Sequence, residues 1–208
     1  MNNLTKRILS SIILLPLVFY LIIYGGLILK FFIVICLVAA CYEWHMMTIN
    51  KTYKIYGFIF LIISFYTFYE LSFEIYEVFS VILICVSTDV GGYIFGKIFK
   101  GPKLTKISPN KTYAGMIGGY FLSFTILTII SNFIDLPVIS IQFFLMIVLI
   151  STVSQIGDIT ISYFKRLSKI KNTGKLIPGH GGLLDRIDGM IFAFPIYFLI
   201  DLTGYLII

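Results

Sequence analysis

Residues 136–157, LPVISIQFFLMIVLISTVSQIG, run 22 positions without a charged side chain and lead straight into Asp158. A bilayer core about 30 Å thick asks roughly 20 apolar residues of a helix, so this stretch reads as a membrane span. Two more runs are as clear, Ile8–Leu29 and Ala114–Ile134. Phe31–Ile49, Tyr53–Tyr69, Val78–Gly96 and Gly189–Ile208 are shorter or carry an acid, and they leave no room for a second, soluble domain. The runs are continuous rather than alternating, and open sheet edges cannot face lipid, which argues against strands. The expected fold is therefore all-α, a polytopic membrane helical bundle of seven spans forming one domain over residues 1–208. Composition agrees, with 59% hydrophobic and 12% charged residues and a mean hydropathy of +0.99, against about a quarter charged in soluble domains.

Cations set the expected orientation, since short loops rich in Lys and Arg stay cytoplasmic. Fifteen of the 16 basic residues fall on one side of the seven spans, and Lys30 lies opposite with Glu70, Glu74, Glu77 and Asp135. The N-terminus is accordingly placed in the cytoplasm and the C-terminus outside. The net charge of +6 then reflects topology and a surface for anionic lipid or phosphate. Nucleic acid is excluded as a partner, because the basic residues sit in loops pinned to a membrane. The first run is too long for a signal-peptide core and reads as an uncleaved anchor. Cys36, Cys41 and Cys85 fall within spans at no metal-binding spacing and read as small buried hydrophobes.

Two basic cytoplasmic segments, near 97–113 and 158–188, hold the candidate chemistry. The span ahead of the first carries Asp89, followed by Gly91, Gly92 and Gly96; an acid inside a span is costly and marks either function or a hydrogen bond between helices. The glycines fit close helix packing as well as they fit the approach of a phosphate. Ser108 and Lys111 complete this segment. In the second, Asp158, Ser162 and Lys165 recur at i, i+4 and i+7 and share a face if the helix continues. Six cations stand against three carboxylates between Asp158 and Asp188, a surplus suited to a multiply charged anion. Pro178-Gly179-His180-Gly181-Gly182 offers backbone amides that could form a phosphate-binding nest. Asp185 and Asp188 stand at i, i+3 with Arg186 between them. Such acids suit Mg²⁺, usually held by one or two carboxylates with substrate phosphate oxygens, or are a solvated pair at a helix start.

Ser162-x-Phe164-Lys165-Arg166, Lys171, then Pro178-x-His180-Gly181-Gly182-Leu183-x-Asp185-Arg186-Ile187-Asp188 resembles the signature of the phosphatidate cytidylyltransferases, or CDP-diacylglycerol synthases. Asp89-x-Gly91-Gly92-Tyr93, Gly96-Lys97 and Ser108-Pro109-x-Lys111-Thr112 are similar to a second region of that family. The likeness runs from the fourth span to the C-terminus, with a weaker one around Glu43-Trp44. The family pattern has Lys-Asp where this chain reads Lys171-Asn172, an amide that keeps an oxygen and loses the charge. The chain is also short for a family that often has further spans.

The resemblance implies transfer of CMP from CTP to phosphatidate at the cytoplasmic face of a prokaryotic inner membrane, giving CDP-diacylglycerol and diphosphate. It implies Mg²⁺ on Asp185 and Asp188 with Asp158, a second cation being left open. Lys165, Arg166, Lys171 and Arg186 would neutralise phosphate, and the His180-Gly181-Gly182 turn would cradle it. Ser162 and Asp89 are further candidates for the substrate site, and Ser108 and Lys111 would clamp nucleotide or lipid head group. Many members are dimers, which leaves a homodimer open. A CTP-dependent lipid kinase, attacking the γ-phosphorus, shares these residue types; an inactive lipid-binding scaffold is the non-enzymatic alternative.

Overall fold

The structure is a computed structural model that describes residues 16–49, 51–133, 140–177, 179 and 181–204. Helix α1 occupies 16–24. It is followed by α2 (Gly26–Met47), α3 (Lys54–Leu71), α4 (Ile75–Phe99), α5 (Tyr113–Phe133), α6 (Ile141–Leu167), α7 (Leu184–Ile187) and α8 (Met190–Leu202). Among the described residues there is no strand beyond two isolated bridges, Lys103 with Thr112 and Ile177 with Gly181. The all-α membrane bundle expected from the sequence is what the chain forms.

Among the described residues five helices, α2 to α6, are long and apolar enough to cross a membrane. Of the seven expected spans, the first and the last take a different form. The first expected span, Ile8–Leu29, breaks at Gly25 and Gly26, whose φ of 64° and 60° is left-handed backbone that glycine adopts freely; its residues before 16 lie outside the described set, as does the N-terminus placed in the cytoplasm. The last, expected over Gly189–Ile208, is a helix of 13 residues with Pro195 inside it. The sixth also shifts. Helix α6 continues to Leu167, so residues 158–167, expected within a loop segment, are helical.

Apolar side chains cover both the inside and the outside of the bundle, as lipid requires. Leu27, Phe31, Ile35, Val38 and Tyr42 are exposed along one face of α2, while Leu29, Ile33, Ala40 and Trp44 are buried on the other. The core closes around α8, whose Ala193, Phe194 and Tyr197 belong to one buried cluster with Leu61 and Phe65 of α3 and Ile150 and Ile161 of α6. Water plays no part in driving such helices together, so close packing and polar contacts do the work. Thr88 donates to Ser151 at 2.8 Å, Ser64 to the Ile191 carbonyl at 2.6 Å, and Tyr120 and Thr152 bond at 2.9 Å.

Helices α4 and α5 pack closest of all, and the glycines explain it. A Cβ on Gly115 would lie 2.6 Å from the Gly92 carbonyl oxygen, and one on Gly118 would overlap the Phe95 ring. Thr112 caps α5 by accepting a hydrogen bond from Gly115 N at 3.1 Å. Gly91 and Gly96 serve helix packing, where a Cβ would overlap the Gly118 carbonyl oxygen and stand 3.1 Å from Thr112 Oγ1 respectively, while Gly92 lines a cleft between the helices. Gly115→Ala is expected to cost about 1–3 kcal/mol through overpacking, read as a lowered thermal unfolding midpoint in detergent.

Candidate active site

Because α6 runs unbroken to Leu167, Asp158, Ser162 and Lys165 do share a face. Ser162 Oγ donates to Asp158 Oδ1 at 3.4 Å. The other oxygen of Asp158 forms an ion pair with Lys111, which arrives from the segment between α4 and α5. There a turn links Lys111 N to the Ser108 carbonyl at 3.0 Å. A cleft of about 290 Å³ opens at this junction, lined by Asp89, Ser108, Lys111, Thr112 and Asp158 among others. The two basic segments therefore meet.

Across from this cleft the 168–183 loop returns to the bundle. Lys165 Nζ donates to Asp185 Oδ1 at 2.8 Å, both side chains being nearly buried. Asp185 Oδ2 accepts from Thr173 N at 2.8 Å and Gly182 N at 3.0 Å. Burial pushes the Asp185 carboxyl up, but the hydrogen bonds from Lys165 and the two amides outweigh it and hold the group below the usual carboxylate range. A carboxylate with a depressed native pKa contributes stability above its unfolded value, about 3.9, and the contribution is lost as pH falls through the native value. Acidification below roughly pH 4 should thus destabilise the wild type more than Asp185→Asn, measured by denaturant unfolding in detergent at matched pH.

Asp188 follows α7, is 8% exposed and accepts from Gly189 N at 3.1 Å. Burial and then the charge of Asp158 push it well above the usual carboxylate range; Lys165 and Lys111 oppose the shift and Asp89 adds to it. The charge of Arg186, an exposed residue, reaches Asp89. Asp89, Asp158 and Asp188 with Lys111 and Lys165 are one electrostatic cluster, drawn from α4, α6, the α7–α8 junction and the 100–112 segment.

Several expected participants stand elsewhere. Arg166 is exposed and donates to the Ile170 carbonyl at 3.2 Å, lining a separate open groove with Lys106. Lys171 and Asn172 are exposed on the loop. His180 and Pro178 lie outside the described residues. Two of the amides expected to form a phosphate nest have partners within the chain: Gly181 N donates to the Ile177 carbonyl at 3.2 Å and Gly182 N to Asp185. The glycines answer backbone demands instead. Gly179 and Gly181 have φ of 80° and 97°, and a Cβ on Gly182 would overlap the carboxylate of Glu43.

Glu43, marked in the sequence only by a weaker likeness around Glu43-Trp44, has a role that the sequence reading did not assign. It sits on α2, 1% exposed. Its oxygens accept from Leu183 N at 2.8 Å, Leu184 N at 2.9 Å and Thr173 Oγ1 at 2.9 Å. A signal existed: Glu43 is an acid inside an apolar run, the feature that singled out Asp89.

Among the described residues no three His, Cys, Asp or Glu side chains converge closely enough to hold a metal ion by themselves. The donor set at the cluster is nonetheless all hard carboxylate oxygen, and its like charges strain Asp188. That chemistry fits a Mg²⁺ held by one or two carboxylates and completed by substrate oxygens, and does not fit a closed protein cage.

Fold and cluster together define a multi-pass helical membrane protein with a carboxylate and ammonium site where its basic segments meet. Residues 53–202 match the model of the cytidylyltransferase family, and the chain belongs to that family. Its relatives include a phosphatidate cytidylyltransferase of Rickettsia felis, 34% identical over 213 residues, an alignment covering 97% of this chain and 93% of that protein. The phosphatidate cytidylyltransferase of Rickettsia bellii is also 34% identical, over 96% of this chain and 91% of the relative. That of Bacillus subtilis is 39% identical over 127 residues, 60% of this chain and 47% of the relative.

Proposed function

We infer that this chain is a phosphatidate cytidylyltransferase, transferring CMP from CTP to phosphatidate to give CDP-diacylglycerol and diphosphate. The observation that carries the reading is a family match spanning the whole cluster, from Asp89 to Asp188, in a chain that aligns over nearly its full length with relatives of that name. A phosphate oxygen of phosphatidate attacks the α-phosphorus of CTP; that P–O bond forms as the bond between α-phosphorus and the bridging oxygen breaks, and diphosphate leaves with the electron pair. Both reactants are anions, so positioning and charge neutralisation carry the reaction. Phosphatidate is already ionised at neutral pH, so no strong general base is needed.

Lys165, fixed by Asp185, presents a nearly buried ammonium to the transferring phosphate. Lys111 exchanges its ion pair with Asp158 for a phosphate oxygen when nucleotide enters the cleft, and Arg186 adds charge at the rim beside Asp89. Asp188 and Asp158, with Asp89 nearby, are the residues that would hold Mg²⁺, while Asp185 is committed to Lys165 and the loop. Bound there, Mg²⁺ would neutralise charge on the phosphates and on departing diphosphate. The concentration of Lys and Arg in the two segments supports a site on the cytoplasmic side of the membrane.

The test is the fate of label. Purified protein given phosphatidate, Mg²⁺ and CTP labelled at the α-phosphate should form labelled CDP-diacylglycerol, and CTP labelled at the γ-phosphate should leave the lipid unlabelled. Lipid labelled only from the γ-position would identify a kinase instead.

A further inference from the structure

We propose that Glu43 is a positioning residue for this reaction, a carboxylate supplied by α2 that ties Thr173 to Leu183 and Leu184 and so fixes the approach to Asp185. It lies ahead of the segment that matches the family model, residues 53–202. Burying an acid among apolar helices is costly unless hydrogen bonds satisfy it, and a position needed only for packing is filled at less cost by an apolar side chain. Among the described residues Glu43 has no ion-pair partner. Its three hydrogen bonds all come from one loop: Thr173 Oγ1 near the loop's start, and Leu183 N and Leu184 N at its end. One carboxylate therefore ties the two ends together.

The surroundings are cut to fit that carboxylate. A Cβ on Gly174 would stand 2.6 Å from Glu43 Oε1, and one on Gly182 would overlap the same group. Just past the loop, on α7, Asp185 repeats the arrangement by accepting from Thr173 N and Gly182 N. Leu184, held by Glu43, directly precedes Asp185, which holds Lys165. Asp188 lies one helical turn on. The position of the ammonium and of the buried carboxylate is thus referred back to Glu43 on α2, more than 120 residues earlier in the chain.

Glu43→Gln keeps the size but replaces one acceptor oxygen by an NH₂ donor that must face an N–H or O–H donor of the loop. Thr173→Val removes only the hydroxyl that Glu43 accepts, and Thr173→Ser restores it. Rate and affinity for CTP would be measured in full-length protein, with hydrogen exchange at Leu183 and Leu184. The proposal rests on the cytidylyl-transfer reading for its kinetic arm. Glu43→Gln should lower kcat about 10- to 100-fold through misplacement, with KM for CTP changed less than about threefold and faster exchange at both amides. Thr173→Val should act in the same direction, Thr173→Ser should recover most of the rate, and the double variant should fall short of the product of the single effects. Wild-type kcat in either Glu43→Gln or Thr173→Val, or equal loss in Thr173→Val and Thr173→Ser, overturns it. A wild type that transfers no CMP sinks the functional reading alone; unaltered exchange at Leu183 and Leu184 in Glu43→Gln would then sink the clamp as well.

Discussion

Asp188→Asn is expected to leave a folded protein whose turnover falls about 10³-fold or more, some 4 kcal/mol of transition-state stabilisation. The substitution keeps the shape of the side chain and removes its charge. In the resting protein that charge is a burden, since Asp188 is 8% exposed and its carboxylate is opposed first by burial and then by Asp158. Neutralising it should leave stability unchanged or raise it, measured by thermal unfolding in detergent alongside turnover. A group whose removal improves the fold and abolishes the reaction is there for the reaction. Loss of stability in step with activity would make Asp188 structural.

The second large effect separates two jobs done by one residue. Lys165→Met leaves Asp185 buried without its cation, which should cost about 3–5 kcal/mol of stability. It also takes the ammonium from the transferring phosphate, worth about 10²- to 10³-fold in rate. Adding Asp185→Asn removes the stranded charge. The double variant should recover most of the stability, while its turnover stays as low as in Lys165→Met. Restored turnover in the double variant would show that Lys165 acts only through Asp185.

How much of this was legible in the sequence depended on whether the information was local. The face shared by Asp158, Ser162 and Lys165 follows from helical spacing alone, and α6 preserves it because nothing between Gly157 and Leu167 interrupts a helix. Asp185 and Asp188 likewise fall on and just after one short helical turn. Their division of labour was not legible, because it depends on which of them meets Lys165 and the loop amides and which meets Asp158. The glycines misled for a related reason: a run rich in glycine looks the same whether its amides await a phosphate or the chain bends around Glu43. The contacts of Glu43 span 130 to 141 residues, and no periodicity reports a pairing so distant. The short α8 escaped notice because hydropathy continues past Leu202 where the helix ends.

The account stands or falls on cytidylyl transfer at the Asp89, Asp158 and Asp188 cluster. Its most direct test is to measure, in the same reaction, lipid-bound CMP and released diphosphate for the wild type, Asp188→Asn and Lys169→Ala, a surface cation outside the cluster. The wild type should give equal amounts of the two products, both nearly abolished in Asp188→Asn and both retained in Lys169→Ala. Undiminished product in Asp188→Asn, or CDP released in place of diphosphate, would contradict it.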